Sequence, residues 1–353
     1  MYPYVVFFIF IFFTVFLSLS KQCNDHMKEV IVLVMLLLFV FSLFSLRYNV
    51  GADYVNYNKI YVHGNSDAIE RWEIGFRNLF NLFRLSNISF YVFTSFILAV
   101  NTMALFIMLR KEAKIFVLGA AIYFLSMDGF FASISFYRQS LSVSLFMISI
   151  VFLLKNKWIS YISLNLIGIL FHYSSFIVLP MIALTRFKLD SKALFISAPI
   201  ILYVSGQLGL IQDFIVIVLR LSGIYLEYIK TDAFSGESGI GLSYLVQLFI
   251  FIFLLSTSNI DTDRERKIII LYTIYMCLSA ISINLLLFYR LSVVFSPIQA
   301  IAIPMLIFKS KVKHQNLLSL AVITLYSFLF LRVFFSPLFI RDFTPFNFIG
   351  LFE

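Results

Sequence analysis

Residues 88–109 read ISFYVFTSFILAVNTMALFIML, and Arg110 and Lys111 follow at once. No charged side chain interrupts the run. A helix needs about 20 such residues to cross a hydrocarbon core about 30 Å thick. Apolar runs of this kind recur along the whole chain. Of 353 residues, 61% are hydrophobic and 13% charged, and 44 are phenylalanine. That is about half the charge of a soluble domain. In lipid the backbone satisfies its polar groups only as helices or as a closed barrel. Barrel strands alternate in short segments, and these runs do not alternate.

The expected fold is all-α and polytopic, one transmembrane domain over 1–353 with about twelve transmembrane helices. The spans fall at 2–20, 29–46, 88–109, 114–132, 136–154, 157–171, 173–186, 193–210, 241–256, 268–288, 291–308 and 315–331. The first run has no basic start and no small-residue cleavage site, so it reads as a mature span rather than a signal peptide. Cys23 and Cys277 lie far apart with no metal or redox spacing, which speaks against a disulfide framework. The net charge of +9 comes from basic residues scattered between apolar runs, so no nucleic-acid footprint is present.

Basic residues flank membrane spans on the cytoplasmic side. Lys21 and Lys28 make the first loop cytoplasmic. Alternation then places Arg110, Lys111 and Lys114 inside, followed by Lys155 and Lys157, and by Arg186, Lys188 and Lys192. Arg264, Arg266 and Lys267 come next, and Lys309, Lys311 and Lys313 last. Residues 157–186 have basic clusters at both ends, so a single span would put one cluster on the wrong side. A hairpin of two short helices with its apex at His172-Tyr173-Ser174-Ser175 resolves this. Membrane mismatch for such short helices costs only fractions of a kcal/mol per Å.

Facing outward are a large periplasmic loop at 47–87, a second segment at 211–240, a tail at 332–353, and arginines at span mouths: Arg47, Arg138, Arg290 and Arg332. The inner loops are too short for a nucleotide-binding domain, and no GxxxxGK[ST] sequence occurs. Chemistry therefore belongs to the outer face or to the membrane interior.

The first outer loop opens Arg47-Tyr48-Asn49-Val50-Gly51-Ala52-Asp53-Tyr54, with Asn56 and Tyr57 close behind. An arginine fork suits phosphate oxygens. Asp53 can accept a proton from a hydroxyl, and tyrosines stack on sugar faces. An interfacial aromatic belt with a capping Asp is the plainer reading. Glu70-Arg71-Trp72-Glu73-Ile74-Gly75-Phe76-Arg77 follows. It places Trp72 and Phe76 on one face of a short helix and pairs Glu73 with Arg77 on another, unless it is simply a helix lying on the membrane. Arg138 opens a span in Phe136-Tyr137-Arg138-Gln139 on the side where basic residues are scarce, which suggests an anionic ligand or snorkelling to headgroups. Arg290, in Phe288-Tyr289-Arg290-Leu291, repeats the arrangement. His172 sits between Phe171 and Tyr173 in apolar sequence; it is structural or, as an ionisable group at membrane depth, functional.

These residues, in this order, resemble the EpsG-type members of the Wzy polysaccharide polymerases. The resemblance rests on Arg47-Tyr48 with Gly51, Asp53, Tyr54 and Tyr57, on Glu73, Gly75 and Phe76, and on Tyr137-Arg138-Gln139. It continues through Phe171-His172-Tyr173-Ser174 with Pro180 beyond, and Arg290. It covers residues 47 to about 300 and matches poorly after Arg332. Ala52 stands where the family's loop usually has a threonine, which removes a hydroxyl and leaves the carboxylate.

The resemblance implies a GT-C-like glycosyltransferase in the bacterial inner membrane with its active site toward the periplasm. It would extend O-antigen or exopolysaccharide chains from oligosaccharide units linked to undecaprenyl diphosphate. Arg138 and Arg290, with Arg47 as a third candidate, would stabilise the departing diphosphate. Asp53 and His172 compete as base, with Glu73 third. Tyr54, Tyr57 and Tyr137 complete the substrate-binding set. No metal or other cofactor is required, since arginines replace it and no carboxylate cluster has divalent-metal spacing. Membrane lipid and a chain-length regulator are the further partners expected.

A flippase for the same lipid-linked sugars is the alternative. The absence of an internal repeat and the long outer loop favour the enzyme. An acyltransferase would need its histidine toward the cytoplasm, where His172 is not expected.

Overall fold

With so few polar side chains and no water in the bilayer core, the backbone has little choice but helix. The computed structural model describes residues 2–19, 26–64, 66–112, 116–186, 191–214 and 241–348. Its first half comprises α1 (Tyr2–Leu19), α2 (His26–Ser45), α3 (Tyr54–His63), α4 (Ser66–Glu70), α5 (Ile74–Leu85), α6 (Phe90–Glu112), α7 (Phe116–Leu125), α8 (Ala132–Ser135) and α9 (Tyr137–Leu154). Then come α10 (Trp158–Ile169), α11 (Met181–Arg186), α12 (Lys192–Gln207), α13 (Leu242–Thr257), α14 (Asp263–Ser282), α15 (Leu286–Phe295), α16 (Gln299–Lys309), α17 (Gln315–Phe334) and α18 (Pro337–Phe343). A two-stranded antiparallel ribbon joins β1 (Arg47–Tyr48) to β2 (Asn347–Phe348).

Among the described residues, five helical segments are long and apolar enough to cross a membrane: Tyr2–Leu19, Phe90–Lys111, Tyr137–Leu154, Phe288–Lys309 and Gln315–Phe334. Five shorter apolar helices accompany them. The protein is an all-α membrane protein. The run expected as one span at 114–132 is broken. After α7 the chain bends by 68° and enters a π-helical turn, Met127–Phe131, before α8.

The Phe288–Lys309 segment has 89% of its apolar window buried, against 28% for α1, so the former is central and the latter faces lipid. Every residue of α7 is buried. Gly119 makes that possible, because a Cβ there would lie 2.3 Å from the carbonyl oxygen of Ala300 on α16. Much of the phenylalanine forms one aromatic core. Phe44 packs on Phe7 at 5.3 Å, Phe130 at 4.8 Å and Phe346 at 5.6 Å. The Tyr4 hydroxyl donates to the Phe343 carbonyl at 2.6 Å, tying α1 to the end of α18.

The two ends of the bundle are chemically distinct. At one end, Arg186 and Lys267 both lie over the Trp158 ring, at 4.9 and 5.4 Å. Lys309 bonds Asp261 and Glu265, and Arg264 reaches the Lys111 carbonyl. Basic groups that sequence alternation assigned to one side of the membrane are thus in mutual contact. Arg186 beside Trp158 also closes the 157–186 hairpin, and the Tyr161 hydroxyl crosses it to the Val178 carbonyl at 2.6 Å.

At the opposite end, the loop at 47–87 folds as α3, α4 and α5. The tail expected at 332–353 packs back on it as far as it is described. The ribbon is one link, and the Gly51 N–H donates to the Asp342 carbonyl at 2.8 Å as another. Gly51 has φ +113°, a conformation that requires glycine. Most of the segment expected at 211–240 lies outside the described residues.

Candidate active site

The site forms where α5 meets the apex of the 157–186 hairpin. The Gly75 N–H donates to the Leu170 carbonyl at 2.8 Å, and a Cβ on residue 75 would lie 2.7 Å from that same oxygen. Glycine therefore lets the start of α5 rest on the apex. Glu73, immediately before α5, is then pressed between the apex and the first turn of α9.

The Glu73 side chain is 3% exposed, and both its oxygens are engaged. Oε2 accepts from Arg138 Nη1 at 2.7 Å. Oε1 faces His172 Nδ1 at 2.9 Å and accepts the Tyr173 backbone N–H at 3.3 Å. Burial pushes this carboxyl up, but the His172 hydrogen bond, its own backbone and Arg138 outweigh burial and hold it at about 2. An ionised carboxylate only accepts, so His172 Nδ1 carries the proton. Nε2 has no partner among the described residues. The Arg138 Nε donates to the Tyr57 hydroxyl at 2.8 Å. Burial pushes that phenol up to about 12 against the pull of Arg138, so Tyr57 stays neutral.

A small pocket lies against this assembly, lined by Asp53, Tyr57, Phe136, Arg138, Gln139, His172 and Arg290. The Asp53 carboxylate makes no hydrogen bond or ion pair among the described residues. Burial raises its pKa, while Arg290 and Arg138 oppose the rise and Asp342 adds to it. The Arg290 guanidinium lies 5.8 Å from the Phe136 ring, and the Gln139 amide donates to the Arg290 backbone carbonyl. Phe136 and Arg290 also line a neighbouring cavity of about 640 Å³. Two cations, an imidazole of fixed tautomer and an unbonded carboxylate can together hold an anion and accept a proton beside it.

Four expectations change. Arg47 does not join the other arginines. It is 1% exposed, and it donates to the Phe44 carbonyl at 2.7 Å and the Ile134 carbonyl at 3.4 Å. A guanidinium so placed satisfies chain ends rather than a ligand. Glu73 pairs with Arg138 and His172 rather than with Arg77, and with both oxygens engaged it is no base. Tyr54 packs on Phe90 at 5.1 Å and on Tyr48, away from the pocket. Tyr137 is fully buried and packs on Tyr57 at 5.4 Å behind the pocket. Asp53, Tyr57, Arg138, His172 and Arg290 do converge.

Sequence reasoning passed over Gln139 as a brace for Arg290. It also passed over Asp128, a lone acid inside the apolar run at 114–132, although an ionisable group at membrane depth is itself a signal.

No curated protein and no solved structure matches the chain. The EpsG family model matches residues 30–348, beyond Arg332 and into β2, so the tail shares in a match that spans most of the chain, and the protein belongs to the EpsG family.

Proposed function

We propose that the protein joins oligosaccharide units on the outer face of the bacterial cytoplasmic membrane. In this reading the growing glycan passes from undecaprenyl diphosphate to a hydroxyl of the next lipid-linked unit. EpsG family membership makes the chain a membrane protein of the polysaccharide-polymerase type. The finer reading adds a GT-C-like arrangement of about twelve spans, with the pocket facing the periplasm.

The observation that carries it is the meeting of Arg138, Arg290, His172 and Asp53 around one pocket. The bond between the sugar anomeric carbon and the phosphate oxygen breaks as the acceptor oxygen bonds to that carbon. Negative charge grows on the departing diphosphate, and preorganised guanidinium groups stabilise it more than they stabilise the bound substrate. The acceptor's proton goes to His172 Nε2. The imidazolium that forms is stabilised by Glu73, in the manner of a carboxylate–histidine pair. Asp53 holds the acceptor hydroxyl and is the alternative base.

The test uses purified protein in sealed vesicles with lipid-linked units supplied on the outer face. A polymerase yields a ladder of extended chains. Units that cross the membrane unextended would make the protein a flippase instead.

A further inference from the structure

The 640 Å³ cavity beside the pocket has a polar floor inside the membrane-spanning bundle. Asp128 and Gln247 line it, and neither is fully buried. Asp128 belongs to the π-helical turn that breaks the α7 span. Such turns often mark functional sites. The Tyr275 hydroxyl stands between Asp128 Oδ2, at 2.9 Å, and the Gln247 amide oxygen, at 3.0 Å. One phenolic proton cannot serve two acceptors. The arrangement closes when the Gln247 amide is turned so that its NH2 donates to the phenol, which donates to Asp128. No cationic side chain pairs with Asp128 among the described residues. Ser126 and Ser279 belong to the same wall, with their hydroxyls turned into the protein.

A hydrocarbon chain filling this space would leave the Asp128 and Gln247 side chains against lipid, at a cost that polar groups do not sustain. The occupant that fits is neutral and rich in hydroxyls. The other walls are apolar and aromatic (Phe131, Tyr244, Leu329 and Phe339 among them), the usual make-up of a site that holds a ligand by shape and orients it by a few polar groups. Depth also fits. Ser296 donates to the Asp128 backbone carbonyl at 2.7 Å. It lies six positions after Arg290 on a nearly continuous helical path, roughly 9 Å along the axis at 1.5 Å per residue.

We infer that this cavity is a saccharide-binding subsite, with Asp128 and Gln247 as its hydroxyl-recognising edge. It takes sugar residues of a substrate whose diphosphate lies at Arg138 and Arg290. The inference rests on the polymerase reading for the identity of the substrate, but binding can be measured without any transfer.

The probe is lipid-free oligosaccharide prepared by partial hydrolysis of the host's own exported polysaccharide. Binding to purified protein in nanodiscs is followed by saturation-transfer NMR. Wild type and Lys313→Ala, an exposed change at the basic end of the bundle, should bind it equally. Gln247→Leu and Asp128→Leu should weaken binding at least tenfold. Asp128→Asn, a neutral isostere, should stay within about threefold, which separates a neutral hydroxyl site from a cation site. Melting temperature reports whether each variant is folded, and Ser279→Leu provides a second obstruction of the same wall should Asp128→Leu not fold. Unchanged binding in folded Gln247→Leu would overturn the inference. So would wild type that ignores the oligosaccharide but binds sugar-free undecaprenyl phosphate in a way that Asp128→Leu does not alter. Loss of vesicle polymerisation with saccharide binding intact would count against the polymerase reading alone.

Discussion

The Glu73 carboxylate accepts a hydrogen bond from His172 Nδ1 at 2.9 Å, across 99 positions of sequence. This contact separates two variants that would otherwise look alike. His172→Ala leaves the Glu73–Arg138 ion pair intact and removes only the side-chain donor to Glu73 Oε1, so stability should fall by about 1–3 kcal/mol while transfer falls by roughly 10² to 10⁴. Glu73→Gln should reduce both. Its amide cannot accept from Arg138 and His172 together, and breaking a buried pair costs about 3 kcal/mol or more. Chain-length ladders and chemical denaturation in detergent measure the two effects. Full-length polymer from His172→Ala would remove the histidine from the mechanism.

The arginines divide in the same way. Arg47→Met should destabilise the fold by about 2–3 kcal/mol, because the carbonyls of Phe44 and Ile134 lose their donor in a dry site. Arg290→Ala should leave stability nearly unchanged, since the residue is exposed and its guanidinium lies over Phe136 with no hydrogen bond or ion pair among the described residues. Polymer should nevertheless disappear. The expected contrast is a lowered unfolding midpoint with residual ladders for Arg47→Met, and a normal midpoint with none for Arg290→Ala. The reverse pattern would exchange their roles.

Stability should depend on pH through two carboxylates of opposite sign. Glu73 titrates at about 2 when folded, against 4.5 ordinarily. Its stabilisation is therefore complete above about 4.5 and is lost as pH falls toward about 2. The advantage of wild type over Glu73→Gln should shrink across that window. Asp53 is raised on folding. The stability it contributes is present while it is protonated and is lost as pH rises through its folded value. Asp53→Asn keeps the neutral form at every pH and should unfold no more easily than wild type at neutral pH. A destabilised Asp53→Asn would mean that the carboxylate is paired.

Gly75→Ala tests the approach of α5 to the hairpin. The added methyl would meet the Leu170 carbonyl at 2.7 Å, a backbone atom that cannot swing aside. The expected outcome is a loss of about 1–3 kcal/mol, as for overpacking elsewhere, with polymer reduced at least tenfold through displacement of Glu73. Gly209→Ala, with open space around it but φ +79°, is the control for backbone strain without a clash. Equal behaviour of the two variants would show that contact with Leu170 is unimportant.

Much of this was legible in the linear chain. The apolar runs required membrane helices, because the other arrangement that survives in lipid, a closed barrel, needs alternating segments that these runs lack. Alternation of lysine and arginine separated two sides, and the contacts of Trp158, Arg186, Lys267 and Lys309 gather one of those sides together. The 157–186 hairpin followed from charge alone. The bend after α7 did not: the lone acid in Ser126-Met127-Asp128-Gly129 marks a polar point in the run, but the hydrogen bond from Ser296 to the Asp128 carbonyl and the close approach of Gly129 to Tyr123 belong to the folded structure.

The sequence by itself determined the solvent, the helical class and the residue types available at the outer end, since these depend on composition and on charge counted along the chain. Which residues meet was decided in three dimensions. Arg47 and Arg138 stand in similar aromatic surroundings in the sequence, yet one is spent on backbone carbonyls and the other faces a pocket. The difference lies in what each position packs against, Phe348 and Ile134 for Arg47 and Tyr57 and Glu73 for Arg138, and those partners are distant in sequence.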